Sequence, residues 1–229
     1  MTTTKASSVR GFVFTAVTFV SVFIAGASIL PLYDVYRRDG NVTDSQLSLV
    51  SVAYFVAAVA TLLVLGRLSS YIGRRPVTLA ALILAIAGCV ILLDVRSVAP
   101  LIIGRALIGI ATGLASSALV AWVADLAPAQ PAWLGPTIAS TTPMAGFAIG
   151  ALGAGLLATF GPAPRQFSFI ISIGLLIVCL VGVLTVRESV TRNRGARASL
   201  RPRLVVPQGV RRLMPLAFTL YLATWAFGG

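Results

Sequence analysis

Long uncharged runs constrain this chain more than any other feature. Between charged residues they occupy positions 11–33, 45–66, 76–93, 106–124, 126–164, 166–186 and 213–229. A helix rising 1.5 Å per residue needs about 20 apolar residues to cross roughly 30 Å of hydrocarbon, and most of these runs have that length. Only 10% of the residues are charged, against roughly 25% in soluble domains, too few to cover a water-exposed surface. The chain therefore reads as an all-α integral membrane protein.

Punctuation refines the spans. The fourth begins near Leu101 and takes Arg105 into the membrane, and the run 126–164 is trimmed by Pro128, Pro131, Gly161, Pro162 and Pro164. Six transmembrane helices and the start of a seventh result. The first run follows Lys5 and Arg10 but exceeds a signal-peptide core, and no small-residue cleavage site precedes the next span, so it reads as a retained helix. The expected organisation is a six-helix bundle over residues 1–186, a basic cytoplasmic linker over 187–212, and a truncated seventh helix over 213–229. The ending invites two expectations, a chain cut past the middle of a two-half protein or a half-size unit that self-associates.

A net charge of +12 would suggest nucleic acid in a soluble protein, but here the basic residues lie between spans. Lys5, Arg10, Arg67, Arg74, Arg75, Arg187, Arg192, Arg194, Arg197, Arg201, Arg203, Arg211 and Arg212 fall on one side, and only Arg37, Arg38, Arg96 and Arg165 on the other. Basic residues accumulate on the cytoplasmic face and meet anionic lipid there. This places the N-terminus in the cytoplasm of a cell with the protein in its plasma membrane, makes the bilayer the partner, and removes nucleic acid.

The chain has no His, and its two cysteines, Cys89 and Cys179, sit within apolar runs without metal-site spacing. Neither a catalytic constellation nor a nucleotide-cradling Gly-rich loop with Lys and Ser or Thr is present. No cofactor or metal is expected, and a membrane-embedded enzyme is the least supported reading.

Between the second and third spans the chain reads Gly66-Arg67-Leu68-Ser69-Ser70-Tyr71-Ile72-Gly73-Arg74-Arg75-Pro76. It resembles the characteristic cytoplasmic loop of the major facilitator superfamily, which runs Gly, three residues, Asp, a basic residue, any residue, Gly and two basic residues. Gly66, Gly73, Arg74 and Arg75 match in register, while Ser70 and Tyr71 stand where the family has Asp and a basic residue. Ser70 can cap a helix N-terminus through its hydroxyl but cannot form an ion pair. The bland alternative is a positive-inside turn.

The fourth span is similar to that family's pattern of an Arg followed by spaced glycines, here Arg105, Gly109 and Gly113, all on one helix face. An Arg within a span is costly unless it faces protein or a water-filled cavity; its competing reading is snorkelling to the outer headgroups. The resemblance implies a part in proton transfer for Arg105. In the fifth span Pro143, Gly146, Gly150, Gly153 and Gly155 partly resemble the glycine-rich motif of bacterial drug:proton antiporters, although Ala151 follows Gly150 where that motif has Pro. Spaced small residues also let helices approach closely, and Pro143 is a kink candidate.

Leu30-Pro31-Leu32-Tyr33-Asp34 is similar to the outer end of the first helix in bacterial efflux members, making Asp34 a pathway candidate. Phe23, Tyr54, Phe55, Trp122 and Phe147 are the aromatic cavity candidates. The resemblance implies two inverted three-helix repeats and proton-coupled efflux of a small molecule by alternating access, completed by a second six-helix half or by self-association.

Overall fold

The computed structural model describes residues 2–38, 42–161, 163, 165–190, 211, 213–216, 218 and 219. Its elements are all helical: α1 (Thr2–Ala27), α2 (Leu32–Arg38), α3 (Asp44–Leu65), α4 (Ser69–Ile72), α5 (Arg74–Ile91), α6 (Val98–Leu126), α7 (Leu134–Phe160) and α8 (Phe167–Val183). Most of the linker and of the expected seventh helix lies outside the described residues.

Hydrocarbon offers no hydrogen bonds, so backbone groups bond within each helix, and hydroxyls in the spans follow the same rule. Thr15, Thr18 and Ser21 of α1, and Ser28 just beyond it, donate to the carbonyls of Gly11, Phe14, Val17 and Ile24, four residues back. At the start of α3 the Thr43 amide donates to the Gln46 side chain at 2.9 Å, half of a capping box. Among the described residues five stretches are long and apolar enough to cross a membrane, the first running from Val9 to Arg38 with a break between α1 and α2. The sixth, α8, has 17 residues, shorter than the run 166–186 because the chain turns at Leu184, Thr185 and Val186.

The main helix pairings are α3 with α6, α5 with α6, α1 with α7, α1 with α6, α5 with α8 and α1 with α8. Exchanging the first three spans (α1, α3, α5) for the last three (α6, α7, α8) turns the α3–α6 pairing into α1–α7 and α5–α6 into α1–α8. Three spans per unit put the second unit in the membrane upside down, so this exchange is the mark of an inverted repeat.

Glycines set the spacing. A Cβ at Gly109 would overlap the Tyr54 carbonyl oxygen, and one at Gly113 would lie 2.8 Å from the Ala58 carbonyl oxygen, so α6 touches the α3 backbone. Gly146 and Gly150 of α7 do the same against Val20, Phe23 and Ile24 of α1. Gly153 differs, because a Cβ there would meet nothing within 4 Å. α7 continues as helix through Pro143.

Candidate functional site

Arg105 lies seven residues into α6 and is only 2% exposed. It turns inward toward α1 and α3. Its Nη1 donates to the Gly26 carbonyl oxygen at 2.7 Å, and its guanidinium carbon sits 4.0 Å from the centroid of the Tyr54 ring. The Tyr54 hydroxyl donates to Thr112 Oγ1 at 3.4 Å, which donates in turn to the Ile108 carbonyl. A Cβ at Gly26 would make only ordinary contact with the Tyr54 hydroxyl, at 3.4 Å. The Arg105 Nε is buried without a hydrogen-bond partner.

A buried guanidinium ordinarily needs a carboxylate. Arg105 has a helix end in its place. The last four carbonyls of a helix lack intrahelical donors and carry about half a negative charge, and Gly26 belongs to the last turn of α1. The Leu30 amide, which a continuing helix would aim at Gly26, bonds to Ala27 at 3.0 Å. Arg105 fills the vacated acceptor and places its charge against the negative end of the α1 dipole, with the π face of Tyr54 on its flank.

The loop between α3 and α5 forms a second cluster. Gly73 has φ of +111°, a backbone region that favours glycine, and a Cβ there would stand 2.6 Å from Glu188 Oε2. Glu188 reaches back from beyond α8 and accepts the Arg74 amide on Oε1 and the Arg75 amide on Oε2, each at 2.9 Å. A carboxylate thus caps the positive end of α5. The Arg74 side chain pairs with Asp125 at 3.3 Å and donates to the hydroxyls of Ser69 and Ser70 at 2.9 and 3.2 Å. Ser189 donates to Asp125 at 2.7 Å, and Arg75 donates to the Leu184 carbonyl. Ser70 therefore holds the Arg74 guanidinium and caps no helix. Arg67 lies over the Tyr71 ring, 5.9 Å from its centroid.

The other predicted residues lie apart from Arg105. Asp34 is exposed on α2 and paired with Arg37, which also reaches Asp44 at 3.4 Å. Trp122 is fully buried, with its Nε1 unpartnered, but 17 residues further along α6 lie about 25 Å away. Phe23 meets Phe147 edge-on at 5.4 Å, and Phe55 is exposed beside Tyr54. Sequence reasoning missed Gly26, Thr112, Asp125 and Glu188. Only Thr112 carried a signal, seven residues beyond Arg105 on the same face. Among the described residues no group of three or more His, Cys, Asp or Glu could hold a metal ion.

A multi-pass helical membrane bundle built as an inverted repeat, with one cation held among three spans, has the architecture of a transporter half. The chain belongs to the Major Facilitator Superfamily, which it matches over residues 14–229. It is 31% identical over 127 residues to Myo-inositol transporter 1 of Candida albicans (strain SC5314), a match covering 56% of this chain and 22% of that protein. The fold is that of solved transporters. A peptide transporter, POT, in complex with sulfate superposes with a TM-score of 0.62 at 19% identity, covering 96% of this chain and 45% of that one. A mutant form of it in complex with alafosfalin gives 0.61 at 20% identity, covering 95% and 46%. The chain thus spans less than half the length of these transporters.

Proposed function

We propose that this chain forms one half of a secondary active transporter in the plasma membrane, N-terminus inside, that exports a small molecule by proton-coupled alternating access. The observation that carries the reading is Arg105, a cation kept inside the bundle at the meeting of α1, α3 and α6. A fixed positive charge lowers the proton affinity of any carboxylate brought near it, so its approach to an acid can drive release of a proton. The six acids of this chain, Asp34, Asp39, Asp44, Asp94, Asp125 and Glu188, lie at span ends or between spans. The proton-bearing acid therefore belongs to a second six-helix half or to the substrate. Resemblance of α7 to drug:proton antiporters supports export.

A polyol substrate is the second reading, favoured by the similarity to a myo-inositol transporter. The test is solute flux under an imposed pH gradient in everted vesicles, comparing the 229-residue chain alone with the chain joined to a second half. Flux that collapses with the gradient and is lost in Arg105→Ala and Arg105→Lys is the expected result. Equal flux in both variants would remove Arg105 from the mechanism, and flux by the chain alone would mean self-association suffices.

A further inference from the structure

Arg105 is held by contacts from two different helices. The Gly26 carbonyl of α1 takes one hydrogen bond at 2.7 Å, and the Tyr54 ring of α3 has its centroid 4.0 Å from the guanidinium carbon. One hydrogen bond leaves a long side chain free to swing about it, and the ring removes that freedom. Tyr54 is 3% exposed, and a cation against a desolvated ring is attracted at the strong end of the cation–π range.

Tyr54 is in turn pinned to the helix that carries Arg105. Its hydroxyl donates to Thr112 Oγ1 at 3.4 Å, Thr112 donates to the Ile108 carbonyl at 2.8 Å, and its ring meets Phe55 edge-on at 5.3 Å. Arg105, Gly109 and Thr112 recur at i, i+4 and i+7, one face of α6. The ring therefore bridges a cation and a hydroxyl pin about 10 Å apart along that helix, with Gly109 between them against the Tyr54 carbonyl. A carboxylate in the place of this ring would neutralise the guanidinium, whereas a ring holds it and leaves its charge unspent. Tyr54 is the titratable group that meets Arg105 among the described residues. α7 carries none, the charged residues of α1 and α5 and Tyr71 of α4 lie at the opposite end of the bundle, and Asp44 opens α3 about three turns before Tyr54. The Cys89 thiol of α5 adjoins Gly88, which faces Gly104.

We infer that Tyr54 is a positioning residue of the proton step, with Thr112 as its pin: it fixes where the Arg105 charge stands, and so how strongly that charge drives a proton from the acid it meets. This rests on the transport reading above and adds to it the residue that sets the pH range of coupling.

The test follows the pH dependence of gradient-driven solute flux in everted vesicles, using the chain joined to a second half. A second readout is proton exchange at Arg105 Nε, measured by NMR on the full chain in nanodiscs and assigned by its loss in Arg105→Lys. Tyr54→Leu lets the guanidinium leave its post, which raises the proton affinity of the acid. The flux midpoint should then move up by about one pH unit, and Nε exchange should quicken roughly tenfold. Tyr54→Phe and Thr112→Val keep the ring and remove the pin, so both should shift the midpoint in the same direction by less. A residue that merely fills space would lower flux alike at every pH. An unmoved midpoint or unchanged exchange in Tyr54→Leu would overturn the inference, as would Tyr54→Phe shifting the midpoint as far as Tyr54→Leu, or midpoints unmoved in both conservative variants. Absence of gradient-driven flux in the unsubstituted joined chain would sink the transport reading, and Nε exchange would still decide whether Tyr54 positions Arg105.

Discussion

Two charged side chains of this molecule do the same job in opposite media and with opposite sign. Arg105 sits inside the bundle against the negative end of α1, and Glu188 sits at the end of the bundle against the positive end of α5. Glu188 accepts the backbone amides of Arg74, Arg75, Ser189 and Val190 and is half-buried, whereas Arg105 has a carbonyl, a ring and, among the described residues, no acid. A helix end can thus stand in for a counter-ion where no carboxylate is near. At the surface, the same device only adds to a network already rich in partners.

Charge reversal breaks the comparison most strongly at the buried member. Arg105→Glu sets an anion beside unpaired carbonyls, and we expect about 3–5 kcal/mol of destabilisation, the range for an uncompensated buried charge, read as a lowered unfolding temperature in detergent. Next come the glycines that bring the helices within reach. Gly109→Ala drives a methyl into the Tyr54 carbonyl and should cost about 1–3 kcal/mol, whereas Gly153→Ala, with open space before it, should stay within about 0.5 kcal/mol. Equal losses at the two positions would show that close α3–α6 contact is not what holds Tyr54 under Arg105.

Glu188→Lys is the surface counterpart. Losing the cap of α5 should cost about 1–2 kcal/mol and speed amide exchange at residues 74 and 75, with less effect on α1. A loss as large as that of Arg105→Glu would mean the two charges are equally buried in practice. Asp34→Asn comes last, because its pair with Arg37 is exposed, and a change under about 0.5 kcal/mol is expected.

Spans were legible because the run of uncharged residues is itself the physical requirement for crossing a bilayer. Arg105, Gly109 and Gly113 were legible for a related reason, since helical spacing alone puts them on one face, and all three do meet α3 or its ring. The partners of Arg105 were not. Gly26 contributes a backbone carbonyl, which has no residue-type signature, and it becomes an acceptor only because α1 ends there. The run 11–33 reads as one uninterrupted span, and the break before α2 follows from tight turns around Ser28–Pro31 that hydropathy does not register. Glu188 carries no signal in its own stretch of sequence because its role depends on amides 114 and 113 positions earlier in the chain.

The grip of Glu188 on α5 has a mechanical consequence. The chain leaving α8 is moored at Glu188 and Ser189, to the amides of Arg74 and Arg75 and to Asp125. A force applied at residue 190 would therefore be borne first by the opening turn of α5 rather than by α8.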